Sequence, residues 1–313
     1  MSGLSEANAA LYRDWQRKRK GEGYDPLPRN EHALIKLQEY AGGRVLTSLG
    51  RDELMGWVGS MTDVAPSTRK TYWSSARAFY NWCASEEEGI LDKSPMHGMK
   101  EPKNPERPVP IPPEDDVRKL IGETEKDRSP IGRRDTAMLR VMCDTGGPRA
   151  SEVAGLLIAG RPHPAGTPAG LGIDLSRDCI TVVGKGSKIR TWPVSARTAT
   201  AISRWIRIRD GRPLADKHAR LWLPFRNPVR PMTYSGVEDI LERRCEISGT
   251  PRLHPHQLRH FAYHQFLLAG GKENDAMLLF GWDDPQMPKL YAKALAKDRA
   301  LKSGYALAIG DKW

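Results

Sequence analysis

The sequence predicts a mainly α protein with one small β-sheet, divided into two domains. Three observations carry this. Apolar residues recur at helical spacing through most of the chain, a proline-dense stretch interrupts it after residue 100, and one pair of short β-branched runs flanks a glycine-containing turn. A length of 313 residues is enough for two domains with a sizeable core.

The first hundred residues read as short helices, clearest over residues 34–40, 51–61 and 67–85. In the third, Ser67 is placed to cap the helix, and Tyr72, Ala76, Phe79, Tyr80 and Cys83 form one apolar stripe. Arg69, Lys70 and Arg77 lie largely off that stripe, where they could face phosphates; a solvated face is the ordinary fate of such residues. Residues 101–113 (EPKNPERPVPIPP) can neither stay helical nor join a sheet, because proline lacks the N–H that both need. They read as an extended linker, giving an N-terminal helical domain at 1–104, a linker at 105–113 and a C-terminal domain at 114–313.

Pro112 and Pro113, followed by Glu114 and Asp115, suit the opening of a helix, since acids favour its positive N-terminal end. A second helix is expected over 133–143, and residues 160–172 (GRPHPAGTPAGLG) form a Pro/Gly-rich loop. Residues 179–183 and 189–194 read as two strands joined through Gly184-Lys185-Gly186-Ser187. Helical patterns return over 196–209, 234–248, 256–269 and 272–280. There is no internal repeat.

Lys and Arg number 49 against 38 Asp and Glu, a net charge of +11. Such an excess suits a polyanionic partner, most simply nucleic acid, though it equally serves solubility. The four cysteines (Cys83, Cys143, Cys179 and Cys245) are scattered, with neither CxxC nor Cys/His metal spacing. They read as small buried apolar residues of a reducing cytosol. No run approaches the roughly 20 apolar residues of a membrane span. The N-terminus lacks the apolar core of a signal peptide, so no membrane association and a cytoplasmic location are expected.

The chemistry-bearing residues occur as a series. Arg149 follows Thr145-Gly146-Gly147-Pro148, and Glu152, three residues on, shares its helix face. Lys185 sits between glycines at the hairpin tip. His256 and Arg259 share one face of a helix that Pro255 suits at its first turn, while His254 sits before it. Phe280-Gly281-Trp282 follows, then Tyr291 nine residues later. Singly, each has a plainer reading. Arg149 with Glu152 could be a surface ion pair, Lys185 a solvated turn, HxxR a recurrent spacing, Trp282 core and Tyr291 a part-buried helical residue. Tyr263 and Tyr305 are rival nucleophiles, but neither has a Gly-Trp element nine residues before it.

Together the residue types fit transesterification at a phosphodiester. A tyrosine hydroxyl, with a reference pKa of about 10, needs a base or a strongly positive pocket. Two arginine forks can hold the non-bridging oxygens, a lysine can protonate the leaving oxygen, and a histidine can accept the tyrosine proton. Such a reaction uses no metal and no cofactor.

The series Arg149, Lys185, His256, Arg259, Trp282 and Tyr291, in this order and local context, resembles the catalytic hexad of the tyrosine recombinases of the phage-integrase type. The resemblance extends to Ser67-Thr68-Arg69 and Phe79-Tyr80-Asn81-Trp82 in the first domain. It implies a helical core-binding (SAM-like) domain and a mixed α/β catalytic domain of the DNA breaking-rejoining fold, closing as a clamp on duplex DNA. It implies that Arg149 and Arg259 bind the scissile phosphate and Lys185 protonates the leaving 5′-oxygen. His256 would assist proton transfer, Trp282 would fill a position held by His or Trp in relatives, and Glu152 would support the site. Tyr291 would form a 3′-phosphotyrosyl intermediate. The bond energy stored there accounts for the lack of any implied cofactor. The implied partners are double-stranded DNA attachment sites and a homotetramer on two DNA sites, with the need for a directionality factor left open.

Two features depart from the family pattern. The turn before Arg149 carries one extra residue, and the loop at 160–172 is long. Too few residues precede the helical domain for an arm-site-binding domain, so a simple two-domain type is expected. Residues 300–309, with Leu301, Tyr305, Leu307 and Ile309, form an apolar tail that could dock on a neighbouring subunit or pack on its own. The short architecture and the basic, Trp-rich composition favour integration or excision of a phage or mobile element over a chromosomal Xer role. A type IB topoisomerase, an Xer-type resolvase, a telomere resolvase, an inactive DNA-binding relative and a generic RNA-binding protein are the alternatives.

Overall fold

The computed structural model describes residues 3–24, 27–105, 110–161, 167–168, 170–212, 215–223, 225, 231–282, 301 and 304–313, with Lys185, Asp216, Ile309 and Lys312 described by their backbone alone. The chain divides into two compact units, Met1–Arg107 and Pro108–Trp313.

Among the described residues, unit 1 holds four α-helices, α1 (Glu6–Gly21), α2 (Pro28–Tyr40), α3 (Arg51–Ser60) and α4 (Pro66–Cys83). Ala76, Phe79, Tyr80 and Cys83 of the expected stripe are completely buried, and Trp73 and Trp82 widen it. They pack with Trp15, Leu34, Leu37, Leu54 and Trp57 into one core. Some buried polar groups are matched across elements, while the buried indole N–H groups of Trp73 and Trp82 are not. Asn8 Nδ2 donates to Gln38 Oε1 (2.7 Å) and the Arg44 carbonyl (3.0 Å), while Asn8 Oδ1 accepts from the Leu46 amide (2.9 Å). Tyr80 donates its hydroxyl to the Leu46 carbonyl at 2.7 Å.

Two expectations need correction here. Ser67 does not cap α4: Pro66 occupies the first turn, Ala65 stands at the cap without a side-chain bond, and the Ser67 carbonyl accepts from Thr71 Oγ1 (2.9 Å). Proline's fixed φ and missing donor make it the better starter. The first expected helix also begins earlier, at Pro28, and α1 precedes it.

Unit 2 begins with α5 (Glu114–Lys126) and α6 (Pro130–Cys143), followed by the short α7 (Ala150–Ala154). Ser129 caps α6 by accepting from the Gly132 amide at 3.1 Å. An antiparallel sheet of β1 (Gly172–Asp174), β2 (Cys179–Val183) and β3 (Ile189–Pro193) comes next, in the order β1-β2-β3. The sheet thus has one more strand than the two expected. Ile180 lies opposite both Ile173 and Trp192, and Val182 opposite Arg190, which fixes the inward face. The helices α8 (Ala196–Asp210), α9 (Tyr234–Ser248), α10 (Pro255–Leu268) and α11 (Glu273–Phe280) follow.

The core of unit 2 joins α5–α10 to the sheet through Leu120, Met138, Val153, Trp192, Trp205, Trp222 and Leu258. Asp135, fully buried, accepts from Arg134, from Arg243 Nη2 (2.7 Å) and from Arg244 Nε (2.8 Å), tying α6 to α9. All four cysteines are free. Cys83 and Cys245 are buried, but Cys143 and Cys179 are only partly covered, against the expectation of four buried thiols. Among the described residues no helix is long and apolar enough to cross a membrane.

Candidate active site

Among the described residues, the elements of unit 2 bring Arg149, Glu152, His256, Arg259 and Trp282 together. Arg149 stands at the N-terminus of α7, after a turn in which Gly146 (φ 91°) and Gly147 (φ 38°) both adopt left-handed backbone. The close approach there suits glycine: a Cβ on Gly146 would lie 2.4 Å from Trp192 Cγ, and one on Gly147 would lie 2.8 Å from Phe280 Cε1. The Thr-Gly-Gly-Pro segment, with its one extra residue, is therefore a packed turn that leads into Arg149.

Glu152 holds Arg149 from two sides. Its Oε2 accepts the Arg149 amide (2.7 Å) and its Oε1 accepts Arg149 Nη1 (2.9 Å). Arg149 Nη2 reaches across to the Gly281 carbonyl at 3.3 Å. Its side chain remains about one-third exposed (32%), while that of Glu152 is buried (5%). This is no surface ion pair.

The β2–β3 hairpin approaches the same point. A Cβ on Gly184 would stand 3.2 Å from Glu152 Oε1 and 3.8 Å from Arg149 Nη1, so the backbone just before Lys185 lies against the Arg149–Glu152 pair. Gly186 (φ 72°) and Ser187 (φ 59°) turn the tip, and the Gly184 amide donates to the Lys188 carbonyl at 2.7 Å.

The start of α10 supplies His256 and Arg259. Pro255 occupies the first turn, and the His254 amide donates to Gln257 Oε1 (2.9 Å). Burial, then the charges of Arg259 and Arg149, hold the His256 imidazole below its ordinary 6.5. Its ring meets that of His260 edge-on at 4.5 Å. Burial, then His256 and Arg259, push His260 down to about 3. Arg259 is buried. Its Nη1 donates to the Gly147 carbonyl and its Nη2 to the Phe280 carbonyl.

α11 ends at Gly281 (φ 64°), which turns the chain so that Trp282 folds back. Trp282 is buried (7% exposed), stacked on Phe280 (5.2 Å) and edge-on to Tyr263 (4.8 Å), with the Arg259 guanidinium 5.4 Å over its ring. The indole forms part of the floor beneath Arg259. Tyr291 lies outside the described residues. Of its rivals, Tyr263 is sealed in that floor at 1% exposure, and Tyr305 is open to solvent.

One residue was missed by sequence reasoning. Arg190 of β3 is buried, and its Nη2 bonds Glu152 Oε2 at 2.6 Å. Its Nη1 donates to the Gly146 carbonyl (3.0 Å) and to the Leu279 carbonyl. The signal was strand alternation, which puts residue 190 on the same face as Trp192. Burial alone would raise the Glu152 carboxyl, but the Arg190 bond and charge, followed by those of Arg149, hold it below its ordinary value.

The basic residues of α4 are placed less pointedly. Arg69 donates to the Met61 carbonyl, Lys70 pairs with Glu101 (3.3 Å), and the exposed Arg77 lies 5.0 Å over the Trp73 ring. No group of three or more His, Cys, Asp or Glu that could hold a metal occurs among the described residues.

Comparison with known proteins agrees with this architecture. A profile of the phage integrase family matches residues 113–298. Tyrosine recombinase XerC of Myxococcus xanthus is 29% identical over 251 residues, covering 77% of this chain and 77% of that protein. The fold is similar to that of XerH site-specific recombinase bound to palindromic difH substrate. That match has a TM-score of 0.66 at 16% identity, over 95% of this chain and 84% of that one. It is similar also to the Tn1549 transposon integrase in complex with transposon right-end DNA, with a TM-score of 0.66 at 17% identity over 95% and 99%. With its mainly helical architecture and single three-stranded sheet, the chain belongs to the phage integrase family of tyrosine recombinases, enzymes that cleave and rejoin DNA at specific sites.

Proposed function

We propose that this recombinase cuts and rejoins duplex DNA through a 3′-phosphotyrosyl bond at Tyr291, integrating or excising a mobile element. The carrying observation is the convergence of Arg149, Glu152, His256 and Arg259, from two helix starts, beside the hairpin that presents Lys185. Unit 1 serves as the core-type DNA-binding domain, with Arg69, Lys70 and Arg77 of α4 against phosphates, and unit 2 as the catalytic domain.

The Tyr291 hydroxyl attacks phosphorus and its proton passes to His256, which is neutral at pH 7 because its imidazole is held below 6.5. Arg149 and Arg259 stabilise the charge that builds on the non-bridging oxygens, with Trp282 supporting Arg259 from beneath. The bond to the 5′-oxygen breaks as Lys185 gives that oxygen a proton. Rejoining runs the same transfers in reverse, with a 5′-hydroxyl attacking the phosphotyrosine. No net bond energy is lost.

The working unit is a homotetramer on two duplexes. Its support is the tail, where Leu301, Tyr305 and Leu307 are more than half exposed (51%, 80% and 55%) and available to a neighbouring subunit. A second reading, resolution of DNA multimers, is favoured by the XerC name of the curated relative. Recombination between two copies of one site would support resolution; recombination only between two unlike sites supports integration.

The test uses labelled nicked duplexes from the DNA flanking the gene, incubated without added metal and run on a denaturing gel. Wild type should give a retarded covalent band. Lys185→Ala should bind the same DNA but form the band slowly. Tight binding with no wild-type band would make this a binding protein.

A further inference from the structure

We propose that Arg190 is a positioning residue of the reaction: through Glu152 it fixes the Arg149 guanidinium, and through the Gly146 and Leu279 carbonyls it holds the Arg149 turn against the end of α11. This rests on the assignment of Arg149 to the scissile phosphate. Arg190 itself commits its guanidinium to Glu152 and to the Gly146 and Leu279 carbonyls.

The geometry is specific. Glu152 is shared: Oε1 faces Arg149 Nη1 (2.9 Å) and Oε2 faces Arg190 Nη2 (2.6 Å), with Arg190 Nε at 3.4 Å from Oε1. A carboxylate held by Arg149 alone could swing about its χ angles. The second fork removes that freedom, so the direction of the Arg149 guanidinium is set by β3. Arg190 Nη1 then bridges the carbonyls of Gly146 and Leu279, residues 133 apart in sequence. The Trp192 ring lies 4.3 Å beneath the guanidinium and fixes its plane.

The backbone is shaped around this side chain. A Cβ on Gly281 would fall 2.8 Å from Arg190 Cδ, at a residue whose φ is +64°. Arg190 thereby touches the segments that carry Arg149 and Trp282, while its own strand pairs with β2 to form the hairpin that carries Lys185. A buried ion pair is a poor device for stability alone, since its desolvation offsets much of its attraction. Its use here is registry: three segments distant in sequence are held to one guanidinium.

Lysine cannot replace it. A single ammonium lacks the fork that spans Glu152 and two carbonyls. Misplacing a catalytic group by about 1 Å costs on the order of 10²-fold in rate.

The experiment measures covalent-adduct formation and DNA affinity for Arg190→Gln, Arg190→Lys, Arg149→Gln and the Arg149→Gln/Arg190→Gln double variant on the nicked flanking duplexes. Amide hydrogen exchange is measured on wild type and both Arg190 variants. Arg190→Gln should cleave about 10²-fold more slowly with affinity within about threefold. Arg190→Lys should recover only part of the rate. The double variant should be no slower than Arg149→Gln, because the two act through one group. Multiplied losses, or a near-wild-type rate for Arg190→Gln, overturn the proposal. The amides of Gly147, Arg149 and Trp282 should exchange about tenfold or more faster in Arg190→Gln, with those of α9 unchanged. Unchanged exchange at these amides overturns the holding role without reference to activity. Absence of a wild-type adduct instead overturns the recombinase reading and the catalytic half of this one.

Discussion

Replacing Glu152 by Gln tests how tightly the site is built. The carboxylate receives Arg149 N at 2.7 Å, Arg149 Nη1 at 2.9 Å, Arg190 Nη2 at 2.6 Å and Arg190 Nε at 3.4 Å. Glutamine keeps the shape but turns an NH2 group toward a guanidinium, where donor faces donor. It also leaves the buried Arg190 without a counter-charge. Breaking a buried pair from one side costs about 3–5 kcal/mol. In a unit of this size each kcal/mol moves the unfolding midpoint by roughly 2–4 °C, so the expected loss is about 6–20 °C. Thermal unfolding at pH 7, followed by tryptophan fluorescence, would read it. The pH dependence adds a second check. The folded Glu152 carboxyl lies below its ordinary 4.5, so its stabilisation is fully present above pH 4.5 and fades as pH falls through the folded value. The gap between wild type and Glu152→Gln should therefore narrow in acid. A midpoint change of less than about 2 °C at pH 7, or a gap that widens in acid, would refute this reasoning.

Two further predictions follow from the same geometry. Gly147→Ala would place a Cβ 2.8 Å from Phe280 Cε1 at φ +38°, and should cost about 1–3 kcal/mol in urea unfolding; equal stability would show that the turn gives way freely. His256 is kept neutral by burial and by the charges of Arg259 and Arg149, so its titration midpoint by NMR should lie below 6.5 and rise in Arg149→Gln. A midpoint that stays put would place the arginine charge elsewhere.

Much of this molecule was legible in its sequence where periodicity was strong. The stripe of α4, the hairpin flanking Gly184 and the helical patterns of α8 to α11 all follow from apolar spacing and turn residues. α1 was not legible, because its only buried members are Asn8, Ala9 and Trp15, too few apolar positions in a charged segment to declare a face. β1 is three residues long and starts on a glycine, so it has no alternation to detect. In the site, Arg149, His256 and Arg259 stood out by order and spacing. Arg190 did not, because a lone arginine in a strand reads as an outward-facing residue until its neighbour Trp192 is known to point inward. The burial of Trp282 likewise depends on a floor assembled from Tyr263 and Phe280, which no local pattern reports.

The central claim is that one tyrosine takes the phosphate, and mapping the covalent link tests it most directly. The adduct formed on a nicked flanking duplex would be digested with protease and nuclease, and the modified peptide sequenced by mass spectrometry. The account predicts a phosphonucleotide on Tyr291 and no adduct from Tyr291→Phe. A link at Tyr305, or an adduct that survives in Tyr291→Phe, would contradict it.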